Sequence, residues 1–316
     1  MKGLTDIAGI RVGHASDYEA LTGCTVIVCE KGAVAGVDIR GGATGTEEMD
    51  VMSPFHITPQ VHAVVFSGGS AFGLEAASGV RRFLEQKGIG FQTGAAVVPI
   101  VPCAILYDLA IGKANVRPTR EMGEAAAAAA TDAPVAEGAV GAGTGATVGK
   151  ALGMAHAMKS GIGTFTVELG GGVKVAALVA VNAWGDVVDP HTGRIIAGTR
   201  RAPGSREFAG SAELMKTRPA AGIPGRNTTL ALVATNARLT KVQAAKLAQM
   251  GQQGLVRTIS PVHTSLDGDL CIGLSAGALE ANPDSLGVAA AEAVAQAVLR
   301  AVRTAKTMGG VPGLAG

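Results

Sequence analysis

Seven strand-like runs punctuate this 316-residue chain, at residues 24–29, 33–39, 61–66, 163–169, 173–181, 229–235 and 269–275. Several are rich in Val and Ile, bounded by Gly and apolar on both faces. A strand without a polar face cannot border water, so these runs require sheets covered on both sides. Helical patterns at residues 70–86, 120–131, 240–253 and 285–307 supply the cover. In the last of them Ala and Val recur at i, i+3 and i+4, and Arg300, Arg303 and Lys306 near its C-terminal end suit the helix dipole. Strands and helices mix without strict alternation, and no internal repeat is visible. A layered α/β or α+β domain with helices over sheets follows.

Composition fits such burial. Charged residues are 16% of the chain, against roughly 25% in ordinary soluble domains. Its 46 glycines are about twice ordinary usage. Low charge with many Gly and Ala suggests close backbone packing and large buried faces, as in an oligomer. The net charge of +2 is dispersed, and only 3% of residues are aromatic. Both observations argue against nucleic acid as a partner. The four cysteines, Cys24, Cys29, Cys103 and Cys271, have no CxxC or zinc-type spacing and read as small core hydrophobes in a reducing compartment. Asp6 interrupts the N-terminus where a signal peptide needs an apolar run, and Pro99, Pro102 and Asp108 break the most apolar stretch, residues 94–112. A cytoplasmic protein without membrane contact is expected.

At Asn227-Thr228 a Pro- and Gly-punctuated stretch, residues 200–226, runs into an apolar strand. A hydroxyl at the mouth of a buried strand can attack the carbonyl before it, given a strained turn and an oxyanion site. Cleavage there would expose Thr228 with an α-amino group whose reference pKa, about 7.7–8.0, suits a base near neutral pH. The plainer reading is that Asn227 turns the chain and Thr228-Thr229 begin a strand. The stretch before it equally reads as an exposed linker.

Four further motifs carry chemistry or a plain alternative. Thr264-Ser265-Leu266-Asp267-Gly268-Asp269 places two carboxylates at a strand entrance, able to hold a nucleophile's proton, or forms a solvated turn. Asn182 ends a very apolar strand, where its amide can donate to an oxyanion or satisfy a turn. Gly141-Ala142-Gly143-Thr144-Gly145-Ala146 is similar to a dinucleotide fingerprint, but no first β-strand precedes it. These glycines are expected instead to let the backbone approach the active site and deliver Lys150. Ser67-Gly68-Gly69-Ser70 follows a strand and opens a helix, which suits anion binding or a tight turn. The six histidines form no HExxH or close ligand pair, so no metal or cofactor is expected.

Together these motifs resemble one family, the self-processing N-terminal-nucleophile hydrolases that include L-aminopeptidase/D-esterases, β-peptidyl aminopeptidases and the nylon-oligomer (aminohexanoate oligomer) hydrolase. The likeness begins at Leu4-Thr5-Asp6-Ile7-Ala8-Gly9-Ile10-Arg11-Val12-Gly13-His14 and continues through Gly41-Gly42-Ala43, Ser67-Gly68-Gly69-Ser70-Ala71-Phe72-Gly73-Leu74 and Val98-Pro99-Ile100-Val101-Pro102. It then takes in Tyr107-Asp108-Leu109, residues 143–150, Asn182, Asn227-Thr228 and Asp267-Gly268-Asp269. The resemblance implies an αββα four-layer sandwich, one catalytic domain over residues 1–316. It also implies self-cleavage into chains 1–227 and 228–316, and a homo-oligomer, often a tetramer of processed pairs. Carried over, Thr228 is the nucleophile and Asn182 belongs to the oxyanion site. Asp267, Asp269, Lys150 and Tyr107 match the nylon-oligomer branch, and Ser265 joins Tyr107 as a substrate contact. Thr rather than Ser at the nucleophile, and Gly149 where some aminopeptidases carry an aromatic contact, depart from the aminopeptidase branch. The expected activity is hydrolysis of short peptides or amide oligomers. The alternatives are an acyltransferase using the same acyl-threonine, or a non-enzymatic assembly protein.

Overall fold

The computed structural model describes residues 2–217 and 227–316. Among them nine strands are joined by hydrogen bonds into one sheet: β1 (Ile10–Asp17), β2 (Thr22–Ile39), β3 (Thr46–Glu47), β4 (Val61–Ser67), β5 (Cys103–Ile105), β6 (Ile162–Glu168), β7 (Lys174–Asn182), β8 (Thr228–Ala237) and β9 (Leu270–Leu279). Their spatial order is β6-β7-β8-β9-β2-β4-β5-β3, with β1 also on β2. The β8–β9 and β4–β5 pairs are parallel and the rest antiparallel. Among the described residues the helices longer than seven residues are α1 (Glu75–Gln86), α2 (Arg120–Ala128), α3 (Lys241–Thr258) and α4 (Pro283–Arg303).

The 18-residue β2 joins two halves. Its first half pairs with β1 and β4, its second with β9, and the register slips between Val28 and Ala33. Residues 24–29 and 33–39, expected as separate strands, are the two ends of this one strand. The side-chain alternation of each strand then builds three apolar layers. Ile27, Phe66, Leu178, Leu230, Leu232 and Ile272 meet between the halves. Val175, Val179 and Val233 face α3 and α4, whereas Val26 and Val65 face α1 and α2. The result is the expected αββα sandwich. α4 is apolar and long enough to cross a membrane, but here it packs onto β6, β7 and β8 as a core helix.

Local chemistry sets the helix ends. Thr240 and Gln243 form a capping box at α3, and Asn282 caps α4 with Pro283 in its first turn. The expected helix at 70–86 opens as a 3₁₀ turn, Ser70–Leu74, before α1. β1 escapes the sequence pattern because Arg11, Gly13, His14 and Ser16 interrupt its apolar run. The expected linker is only partly one. Arg200 bridges Phe208, and a helix forms at Ser211–Thr217, with Ser211 N–H and Oγ donating to Asp186 at 2.6 Å each. The rest of that stretch, residues 218–226, lies outside the described residues.

The glycine content has a direct use. A Cβ on Gly163 would stand 2.0 Å from the Ala297 carbonyl oxygen of α4, and one on Gly273 2.3 Å from that of Ala244 in α3. The helices thus lie on the sheet at backbone contact. Gly163→Val is expected to lower stability by at least about 1–3 kcal/mol through overpacking. A thermal melt should read a drop of several degrees, and an unchanged midpoint would refute this contact.

Candidate active site

Alternation along β8 places Thr228 in the inner row with Leu230 and Leu232, and Thr229 in the outer row with Ala231 and Val233. On β7, Asn182 continues the inner row of Leu178 and Ala180. The antiparallel register sets Asn182 directly opposite Thr228. Both are buried, at 0% and 2% exposure. The apolar rows between the two halves therefore end in a facing amide and hydroxyl.

The Asn182 amide is held at both ends. Its Oδ1 accepts from Thr147 N–H at 3.0 Å and from Lys150 Nζ at 2.8 Å, while Nδ2 donates to the Tyr107 carbonyl at 2.8 Å. Donors on one end and an acceptor on the other define which way the amide points. Lys150 also donates to the Asn182 carbonyl at 2.9 Å. Loss of hydration lowers the Lys150 pKa from the ordinary 10.5 to about 7, against the opposing pull of Asp267, Asp108 and Asp269. Lys150 is held in place by its own backbone: Gly149 and Lys150 donate N–H bonds to the Gly185 and Trp184 carbonyls. A Cβ on Gly149 would stand 2.0 Å from Gly198 C, so backbone occupies the place of any side chain there.

Thr228 Oγ1 donates to the Asn227 carbonyl oxygen at 2.5 Å, and Gly268 N–H donates to the same oxygen at 2.8 Å. Gly268 comes this close because it lacks a side chain, since its Cβ would stand 2.8 Å from Thr228 Oγ1 and 2.7 Å from Ala43 O. Asp267 Oδ1 accepts from Trp184 N–H at 3.1 Å, and Oδ2 from Thr264 Oγ1 at 2.5 Å. Burial, and then the neighbouring Asp269 charge, raise the Asp267 pKa. Asp269 Oδ1 accepts from Thr229 N–H at 2.6 Å. Its Oδ2 accepts from His263 N–H at 3.0 Å and lies 3.1 Å from His263 Nδ1. Arg40, Gly41 and Ala43 clasp this turn by donating backbone N–H bonds to Asp269 and Asp267 carbonyls.

Thr228, Asn227, Asn182, Lys150, Asp267 and Asp269 thus converge as one cluster. Tyr107 joins it through its carbonyl, and Ser265 lies exposed on the adjoining turn. The Ser67-Gly68-Gly69-Ser70 segment is a tight turn: Gly69 N–H donates to the Asp108 carboxylate at 2.7 Å and Ser70 N–H to Leu106 O. Sequence reasoning missed the backbone donors Gly268, Trp184 and Thr147, which no side chain advertises, and His263. It also passed over Asp108 and Lys159 as site neighbours. Asp108 had a signal, as an acid inside the apolar stretch 94–112, whereas Lys159 had none.

Residues 2–315 match Peptidase family S58. An uncharacterized aminopeptidase of Mycobacterium leprae is 40% identical, over 99% of this chain and 93% of its own. A 6-aminohexanoate-oligomer endohydrolase of Kocuria sp. is 31% identical, over 94% of this chain and 85% of its own. The solved L-aminopeptidase D-Ala-esterase/amidase of Ochrobactrum anthropi, a variant of the Ntn hydrolase fold, has a TM-score of 0.74 at 22% identity, covering 98% of this chain and 88% of that one. With a hydroxyl set against a carbonyl inside that fold, this chain belongs to Peptidase family S58 and is a hydrolase of peptide or amide bonds.

Proposed function

We propose that the chain cuts itself between Asn227 and Thr228, and that the freed Thr228 then hydrolyses short peptides or amide oligomers. The observation that carries this reading is Thr228 Oγ1 set 2.5 Å from the Asn227 carbonyl oxygen, which Gly268 N–H also holds. In processing, Oγ1 forms a bond to the Asn227 carbonyl carbon and the C–N bond breaks. The nitrogen keeps the bonding pair and takes a proton, leaving an ester. Water then hydrolyses that ester, releasing the Asn227 carboxylate and regenerating the Thr228 hydroxyl. Until then Thr228 is buried and its nitrogen is an amide without basicity, so cutting creates both access and base.

In turnover Thr228 Oγ1 attacks the substrate carbonyl while its α-amino group takes the hydroxyl proton and passes it to the substrate nitrogen as the C–N bond breaks. Water then hydrolyses the acyl-threonine ester, releasing the acid and restoring the hydroxyl, as in Thr-N-terminus variants of the catalytic triad. Asp269 holds the adjoining Thr229 N–H, and Asp267, whose pKa burial raises, shares proton traffic across the turn. Asn182 faces the nucleophile and, with Lys150 behind it, stabilises the tetrahedral oxyanion. Tyr107 and Ser265 border the substrate. The relatives support both an aminopeptidase and an amide-oligomer hydrolase, and the acidic pair, able to hold an ammonium, favours substrates with a free amino end. The same reading includes a cytoplasmic tetramer of processed pairs. Four unpaired, buried cysteines support a reducing compartment, and the almost fully exposed Phe55 and Ile57 offer apolar surface for assembly.

A denaturing gel is expected to resolve chains of roughly 23 and 9 kDa, by share of residue count. Thr228→Ala should abolish both cutting and hydrolysis, and a single persistent band with full activity would overturn the reading. Asn182→Ala is expected to lower kcat by about 10²–10³-fold, measured on the best substrate from a panel of amino-acid nitroanilides, β-peptides and aminohexanoate oligomers.

Lys150 makes stability depend on pH. Its pKa is about 7 in the folded chain against 10.5 ordinarily, so the unfolded chain binds the extra proton between those values. Its contribution to stability therefore rises with pH across that window. Wild type should gain on Lys150→Met in denaturation midpoint from neutral to mildly alkaline pH. Parallel profiles of the two would sink this.

A further inference from the structure

Among the buried ionisable side chains that have no part in the chemistry above are Asp108, 4% exposed, and Lys159, 0% exposed. Lys159 stands opposite Thr147 in the ribbon of Thr147–Val148 and Met158–Lys159. Its Nζ donates to the carbonyls of Gly143 at 3.1 Å, Ala146 at 2.8 Å and Ser160 at 2.7 Å. An ammonium has three donors and no acceptor, so these carbonyls satisfy it in full. Asp108 abuts the same loop: a Cβ on Gly145 would stand 2.6 Å from the Asp108 Cβ. The carboxylate itself accepts from Gly69 N–H and Thr22 Oγ1, at 2.7 Å each.

What lies between these two charges decides their use. The loop at residues 143–146 carries small side chains, of which Thr144 Oγ1 donates to Gly141 O at 2.7 Å and Ser16 Oγ at 3.1 Å, and the Lys159 ammonium holds its two ends at Gly143 O and Ala146 O. It ends at Thr147, whose N–H donates to Asn182 Oδ1. Tyr107, the residue before Asp108, presents the carbonyl that takes the Asn182 Nδ2 hydrogen. Each end of the Asn182 amide is therefore set by a backbone group beside one of the buried charges.

We propose that Lys159 and Asp108 are paired positioning residues, which clamp the 143–146 loop and Tyr107 so that the Asn182 amide is aimed for turnover. The proposal rests on the oxyanion role of Asn182 given above. Burial leaves the Lys159 pKa at about 7, with the Asp108 charge as the influence that raises it, and leaves Asp108 at about 6. Removing the ammonium takes a donor from all three carbonyls, leaving Gly143 O with Ala146 N–H and Ala146 O with Ser160 N–H. A buried carbonyl that loses its donor, as Ser160 O does, is costly. The loop then shifts, and Thr147 N–H with it.

A double-mutant cycle tests this. Lys159→Met, Asn182→Ala and the double variant are compared on the nitroanilide or aminohexanoate oligomer that wild type turns over fastest, with rates per processed chain counted on a gel. Lys159→Met is expected to lower kcat roughly 10- to 100-fold, as a small misplacement at an active site does, with KM nearly unchanged. Lys159→Arg should recover part of the loss, and the double variant should be no slower than Asn182→Ala. Asp108→Asn, which keeps size and shape, takes the place of Lys159→Met in the cycle if that variant does not fold. Losses that simply multiply, or no loss in kcat, would falsify the proposal and leave the Asn182 role standing. Wild-type kcat in Asn182→Ala overturns that role, and the proposal with it.

Discussion

The ladder between β7 and β8 is the interaction on which the rest depends. Both strands are buried on two faces, so their side chains have only packing and each other for partners. With period-two alternation, a one-residue slip of β8 would exchange Thr228 for Thr229 and turn every inner Leu toward the helices. The apolar contacts of Leu178, Leu230 and Leu232 forbid that slip. The core thereby fixes the pairing of Asn182 with Thr228 to within one residue. Catalytic geometry here is the end of a packing pattern.

At that end the fold buries several ionisable side chains. Lys150, Asp267, Asp108 and Lys159 are all drawn from water, and desolvation dominates the pKa shift of each. Buried groups of this kind reduce stability unless fully hydrogen bonded. Their partners are mostly backbone: the carbonyls of residues 143, 146 and 160 for Lys159, Trp184 N–H for Asp267, Gly69 N–H for Asp108. Backbone partners need close approach, and close approach needs glycine. Glycines thus serve two ends here, helices laid directly on sheets at Gly163 and Gly273 and peptide groups brought close at Gly268.

Much of the layered fold was legible because a covered strand and a covering helix differ in apolar period. The runs at residues 173–181 and 229–235 have no polar face, and they became β7 and β8 almost unchanged. The gaps have physical causes. β1 is half polar because its far end faces loops, and β5 has only three residues. β2 looked like two strands because Glu30, Lys31 and Gly32 interrupt its apolar pattern where the register slips. Residues 200–217 read as linker from their Pro and Gly, yet Asp186 pins Ser211 from a distance that no local pattern records.

By itself the sequence determined the layers, the mouth of the strand at Asn227-Thr228 and the residue types gathered for amide chemistry, together with the family they resemble. All of these are written in local order and period. Only the tertiary structure decided which atoms meet. It set Gly268 N–H and Thr228 Oγ1 on the Asn227 carbonyl oxygen, put Thr147 N–H and Tyr107 C=O on the two ends of Asn182, and buried Lys159 under a glycine loop. Backbone donors and acceptors are the same at every residue, so no side-chain code names them. They gain a role only when folding brings them within about 3 Å of a partner and removes the competing water.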